Sequence, residues 1–243
     1  MQPTSPDAKN STRQPLYRIA GVAALLAALF FRRNIGAEVS LFTGVEGIPH
    51  SAAQWFVLLQ TNPFVGLSFL AFFDLVNSAL VGLVFLALGA LLWRTHKSSV
   101  TVALASGLVG IAVSFTANIS LTLLSLSQRY AVTATEAQKA DLLAAGQAIL
   151  ATNDPLAAFP GTGAVVSLLL IALAGLLFAV LLLPSHRATA VVGLMAGGCD
   201  LVYCLTFPLT PVLPVYLLLA AAGLFWMVWH LLVGRMLLQR AKE

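Results

Sequence analysis

Long apolar runs, each set off by arginine, proline or a short polar stretch, divide the chain into six segments. A spanning helix needs about 20 mostly apolar residues to cross a hydrocarbon core of about 30 Å. The runs predict helices over about residues 17–31, closed by Arg32 and Arg33, and 64–93, opened by Asn62-Pro63 and closed by Arg94. Further spans fall at about 100–126, 164–183 (closed by Pro184), 188–207 (stopped by Pro208) and 212–234 (stopped by Arg235). The expected fold is all-α, one polytopic membrane helix bundle of six transmembrane helices over residues 1–243.

Two of these spans have unusual lengths. The first covers only about 22 Å at 1.5 Å per residue, so Arg32 and Arg33 are expected to snorkel to the headgroups. It ends in Phe-Phe-Arg-Arg rather than small residues, so retention of the helix is expected over cleavage as a signal peptide. The second would measure about 45 Å and is expected to tilt or to stand partly outside the bilayer, since no Pro or Gly pair breaks it.

Composition makes the membrane assignment decisive. Of 243 residues, 59% are hydrophobic and 9% charged, against about 45–50% and 25% in soluble domains. So few charges cannot cover a water-soluble globule. Two cysteines and scarce charge runs remove the disulfide-stapled and disordered classes.

The net charge of +4 follows from topology and gives no reason to expect a nucleic-acid partner. With the N-terminus inside, the inner segments hold Lys9, Arg13, Arg18, Arg94, Lys97, Arg187, Arg235, Arg240 and Lys242. The outer segments hold only Arg32, Arg33, Arg129 and Lys139, beside Glu38, Glu46, Glu136, Asp141 and Asp154. This bias predicts cytoplasmic termini. Trp93, Trp226 and Trp229 then fall near the inner boundary, and Trp55 and Tyr130 near the outer one, as aromatic belts.

Two outer connections predict structure of their own. Ser51 can cap a short helix through Gln60 that lays Trp55, Phe56 and Leu59 on the membrane, and Asn62-Pro63 restarts the chain. Thr133-Ala-Thr-Glu136 reads as a capping box. It opens an amphipathic helix over about 134–152, with Leu142, Leu143, Gly146, Ile149 and Leu150 on one face as a cap over the bundle.

Three stretches together resemble a known family: Arg18 to Gly21 opening the first span, Leu142 to Ala148 in the outer helix, and Pro184 to Gly193 leading into span five. With Trp226 to Arg240, they are similar to a bacterial family of six-helix integral membrane proteins that carry a domain of unknown function. The resemblance covers about residues 16–240 and implies the six-helix layout in a bacterial plasma membrane, without an activity. The last helix of that family often begins near a glutamate, which this chain lacks there.

Ionisable groups inside a membrane are costly and mark function. Asp200 lies about 20 Å from the inner surface along span five, near the midplane, and Asp74 about 30 Å along span two. Asp74, Asn77 and Ser78 share a helix face. On span three, Ser106, Gly110, Ser114, Asn118 and Thr122 recur every four residues; on span five, Gly193, Gly197, Asp200 and Cys204 do much the same, with Tyr203 beside them. Such small-residue stripes serve equally as helix contact surfaces. The expected ligand-binding residues are Asp200, Tyr203, Asn118, Asp74, Asn77 and Ser114, converging on a polar cavity.

Enzyme chemistry finds little support. Gly197-Gly-Cys-Asp200 and Phe73-Asp74 fall just short of the motifs of intramembrane aspartyl proteases, and a difference of about 10 Å in depth would keep the carboxylates from sharing a proton. No nucleophile elbow, phosphate loop or zinc-protease motif occurs. Cys199 and Cys204 lie about 140° apart around a helix and read as packing residues. His96, His186 and His230 fall near the inner boundary without metal-ligand spacing. Arg94, His96, Lys97, Arg187, His230 and Arg235 are expected to form a cationic rim for anionic lipid headgroups.

A non-enzymatic protein without metal or cofactor is therefore expected, binding or passing a small molecule or lipid. The other classes are a structural or assembly subunit, homo- or hetero-oligomeric in the membrane, and a membrane-embedded enzyme using its aspartates. The expected partners are membrane lipids and that small-molecule or lipid ligand. The three later spans show no obvious repeat of the three earlier ones.

Overall fold

The computed structural model describes residues 13–30, 49–153, 161–206 and 213–243. Lys9, Arg32, Arg33, Glu38, Glu46, Asp154 and Pro208 lie outside the described residues. The described chain is helical and contains no strand. Its helices are α1 Gln14–Phe30, α2 Ala52–Thr61, α3 Pro63–Phe69, α4 Phe72–Leu92, α5 Lys97–Ala117, α6 Ser120–Val132, α7 Glu136–Thr152, α8 Thr162–Leu182, α9 Arg187–Thr206 and α10 Leu213–Arg240.

Five stretches are long and apolar enough to cross a membrane: α4, Lys97–Val132, α8, α9 and Leu217–Arg240. The segment expected as the first span is α1, an apolar helix of 17 residues that falls short of these five. The chain divides into two compact units, one of Met1–Arg33, Asn77–Ala112 and Ser167–Glu243, the other of Asn34–Val76 and Val113–Val166.

In the first unit α10 packs against both α9 and α1. The α1 face is made of Ala20, Gly21, Ala23, Ala24, Ala27 and Ala28, residues small enough to let backbones touch. A methyl group at Gly21 would lie 3.2 Å from the Gly234 carbonyl oxygen, and one at Gly234 would lie 3.0 Å from that of Gly21. Arg13 donates to the Ala90 carbonyl oxygen at 2.7 Å, placing a cation on the negative end of α4. Arg13 thus shares an end of the unit with the C-terminus of α4, and Gly21 against Leu238 brings the C-terminus of α10 to that end.

A shorter repeat stands beside the expectation that the three later spans do not repeat the three earlier ones. The helical hairpins α4–α5 and α8–α9 start at residues 72 and 162, and their second helices at 97 and 187, so both are set apart by the same 90 residues. Their links match: His96 N–H donates to Leu92 O at 3.1 Å and Val100 N–H to His96 O at 2.9 Å, while His186 N–H donates to Leu182 O at 2.8 Å and Ala190 N–H to His186 O at 2.9 Å. In sequence, Leu91, Leu92, His96, Val102, Leu104 and Gly107 recur as Leu181, Leu182, His186, Val192, Leu194 and Gly197. The contacts made there differ, since Gly107 faces Phe85, whose counterpart 90 residues on is Gly175, while Gly197 faces Leu176. The repeat covers hairpins of two helices, so a search for triplets of spans passes over it.

The second unit packs α2 against α3, α6 and α7. Ser51 caps α2, accepting from Gln54 N–H, and Asn62 caps α3, accepting from Val65 N–H with Pro63 at the first position. Trp55, Phe56 and Leu59 do not lie on a membrane: each is 1% exposed, because Gly146 of α7 lets that helix close over Phe56 and Ala52. The apolar face of α7 is as expected, with Gly146 and Leu150 buried, but its cap is Thr135, which accepts from Gln138 N–H, and not Thr133. Thr133 instead ends α6, its hydroxyl donating to Arg129 O at 2.7 Å. Lys139 and Glu136 pair at 2.9 Å on the exposed first turn, and that hydrogen bond and charge hold the ammonium above the usual lysine range. Replacing Ser51 by alanine removes one cap and is expected to destabilise the second unit by about 1 kcal/mol, measured as a shift in the urea midpoint.

Both long spans are broken. The run at 64–93 divides at Leu70 and Ala71, with Ala71 at φ +59°, and the run at 100–126 divides at Asn118 and Ile119. Neither break carries glycine or proline.

Candidate functional site

Asp200 is 3% exposed, about two-thirds of the way along α9. Trp226 Nε1–H donates to its Oδ2 at 2.6 Å. The indole reaches that position because α8 carries glycine there: a methyl at Gly175 would lie 2.1 Å from Trp226 Cη2. Trp229 stands edge-on to Trp226 with ring centroids 5.2 Å apart at 86°. It is seated over Gly193, where a methyl would lie 2.5 Å from Trp229 Nε1. That indole nitrogen is buried and has no acceptor among the described residues.

His230 completes the cluster. Its ring lies 4.8 Å from Trp229 and 6.0 Å from Trp226. Nδ1 is 2.9 Å from the Trp226 carbonyl oxygen; a carbonyl only accepts, so Nδ1 carries the proton. With 1% exposure, His230 is not part of a headgroup rim. Trp226 and Trp229, at 5% and 0%, are likewise core residues rather than a belt. The reason is helix length: α10 continues past Arg235 through buried Met236 and Leu237 to Arg240. The tryptophans therefore sit about one helical turn and more deeper than a boundary at Arg235 implies. Arg94, His96, Lys97, Arg187 and Arg235 are exposed.

Of the other expected ligand residues, Tyr203 is 4% exposed on α9. Asn77 belongs to the same unit, and its Oδ1 is buried without a donor among the described residues. The packing register sets its depth. Phe85 of α4 meets Phe178 of α8 at 5.4 Å between centroids, and Gly197 of α9 meets Ala172 O of α8. Counting along the helices at 1.5 Å per residue, Asn77 and Asp200 fall within about one turn of the same level.

Asp74, Ser114 and Asn118 belong to the second unit. Asp74 is exposed and Ser114 half-buried. Asn118 has a structural role at the breaks: Nδ2–H donates to Ala71 O at 2.8 Å, while Oδ1 accepts from Ser120 N–H at 3.0 Å and from the Ser120 hydroxyl. Cys199 and Cys204 are both free thiols. No group of three or more His, Cys, Asp or Glu able to hold a metal occurs among the described residues.

Trp226 and Trp229 as neighbours of Asp200 and His230 were missed by the sequence reading. The signal was present: Trp226, Trp229 and His230 stand at i, i+3 and i+4, one face of a helix. Comparison of the chain with protein-family models, with curated proteins and with solved structures finds no match.

Proposed function

We propose that this is a six-span protein of a bacterial plasma membrane with both termini cytoplasmic, a member of the family its motifs resemble. It binds or passes a small molecule or lipid at the polar level around Asp200. The observation that carries the reading is the carboxylate buried within an apolar helix, with a tryptophan N–H directed at it. A buried acid must be protonated, paired or facing a polar ligand, which is why such groups in membranes mark function. Asn77 Oδ1 adds a buried acceptor at a similar depth, suited to a ligand that donates hydrogen bonds. The repeated hairpins support passage over mere binding, since carriers are commonly built from internal repeats with a midplane site between them.

The assembly reading is the less supported one, since several members of the small-residue stripes are engaged within the chain, although Thr122 is exposed. Ser106 Oγ donates to Leu170 O at 2.9 Å, Gly110 faces Leu170 and Ile171, and Gly197 faces Leu176. Native mass spectrometry in mild detergent, wild type beside Asp200→Asn, tests the proposal. A bound small molecule or lipid is expected in wild type and absent from the variant. Equal occupancy of both, or a second protein chain in place of a ligand, would sink it.

A further inference from the structure

The break between α3 and α4 has no local cause. Residues 67–72 hold neither glycine nor proline, and alanine, at the pivot, is the best helix former. Ala71 is nevertheless at φ +59°, the one positive-φ residue other than glycine among the described residues. An L-residue is disfavoured in that region, and such a conformation persists only where surrounding structure over-determines it.

Tertiary contacts hold it. The Ala71 carbonyl oxygen accepts from Asp74 N–H at 3.1 Å and from Asn118 Nδ2 at 2.8 Å, so both of its lone pairs are engaged. Asn118 is itself fixed at the α5–α6 break, its Oδ1 taking the N–H and hydroxyl of Ser120. One side chain therefore ties two helix breaks together. On the near side, Val65, Phe69 and Leu70 anchor α3 in the core of the second unit.

We propose that Ala71 is the pivot of a two-state joint that the Asn118 amide latches in the broken form. When the latch is released, Ala71 returns to right-handed helical geometry and α3 and α4 join as one helix from Pro63 to Leu92. The local sequence favours the joined state, while the Asn118 hydrogen bond and the anchoring of α3 by Val65, Phe69 and Leu70 oppose it, the arrangement of a bistable element. A group that competes for the Ala71 carbonyl or the Asn118 amide shifts the balance.

The test is carbon chemical shifts of Ala71 in the full-length protein, labelled with carbon-13 and reconstituted in lipid bilayers. The Ala71 signal is identified by its disappearance in Ala71→Gly. Wild type is expected to show a left-handed shift. Asn118→Ala is expected to move the signal, wholly or as a second population, to right-handed helical values. Asn118→Asp, which keeps an acceptor for Ser120 but loses the amide donor, is expected to do the same and serves if the alanine variant does not fold. Ser120→Ala leaves the Ala71 contact in place and should leave the shift left-handed. A left-handed Ala71 in both Asn118 variants, or a right-handed one in wild type, overturns the proposal.

Discussion

Replacing Gly175 by alanine is expected to drive Trp226 off Asp200 and to lower the stability of the first unit sharply. The added methyl would lie 2.1 Å from Trp226 Cη2, a distance no contact tolerates. The indole cannot give way along its own plane, because Nε1 is hydrogen-bonded to Asp200 and the ring face meets the edge of Trp229. Overpacking of this kind costs about 1–3 kcal/mol, and removing the donor from a buried carboxylate adds about 1–3 kcal/mol. Thermal unfolding in detergent followed by tryptophan fluorescence measures the sum. Gly198→Ala is the control, since a methyl there meets nothing within 4 Å. Equal melting temperatures for the Gly175 variant and wild type would refute the packing argument.

The second large effect is expected from Gly234→Leu. At Gly234 the new side chain meets backbone: a Cβ alone lies 3.0 Å from Gly21 O. Backbone cannot swing aside as a side chain can, so α1 must move away from α10 as a body. The fully buried Ala20, Ala24 and Ala27 would lose their contact, a cost of about 3 kcal/mol or more by analogy with overpacked cores. A cysteine placed at Ala24 reports it. Its thiol should be protected from a membrane-permeant maleimide in the parent and modified rapidly in the Gly234→Leu background. Protection in both would mean that α1 does not depend on this approach.

The sequence was most legible where one physical rule acts alone. Apolar length located the helices, and the ends at Arg94 and Pro184 fell within a few residues of the observed Leu92 and Leu182. Cap chemistry placed Ser51, Asn62 and Pro63 correctly, because a side-chain oxygen reaching N–H groups two or three residues ahead is a local matter. The capping box misled by two residues, since Thr133 and Thr135 both precede the helix and the end of α6 uses the first.

Tertiary contacts explain the rest. Nothing near Ala71 announces a break, because the cause sits on another helix at Asn118. The depth of His230 was misjudged because Arg235 interrupts α10 in composition but not in structure: its charged side chain is exposed while its neighbours Gly234 and Met236 are buried. Asp200 was picked out correctly as buried, but its indole partner lies on another helix, 26 residues onward. A repeat of two helices leaves the two halves of the chain unlike one another.

The pairing of α1 with α10 also bears on biosynthesis. Of the described helices, the first to leave the ribosome meets its partner last, after every intervening helix has been made. Until then its alanine face has no α10 backbone to close on, and Asp200 has no indole. Contacts so distant in sequence are slow to form, so nascent chains halted before α10 should expose both defects at once. A quality-control protease would then read completion of α10 as completion of the first unit.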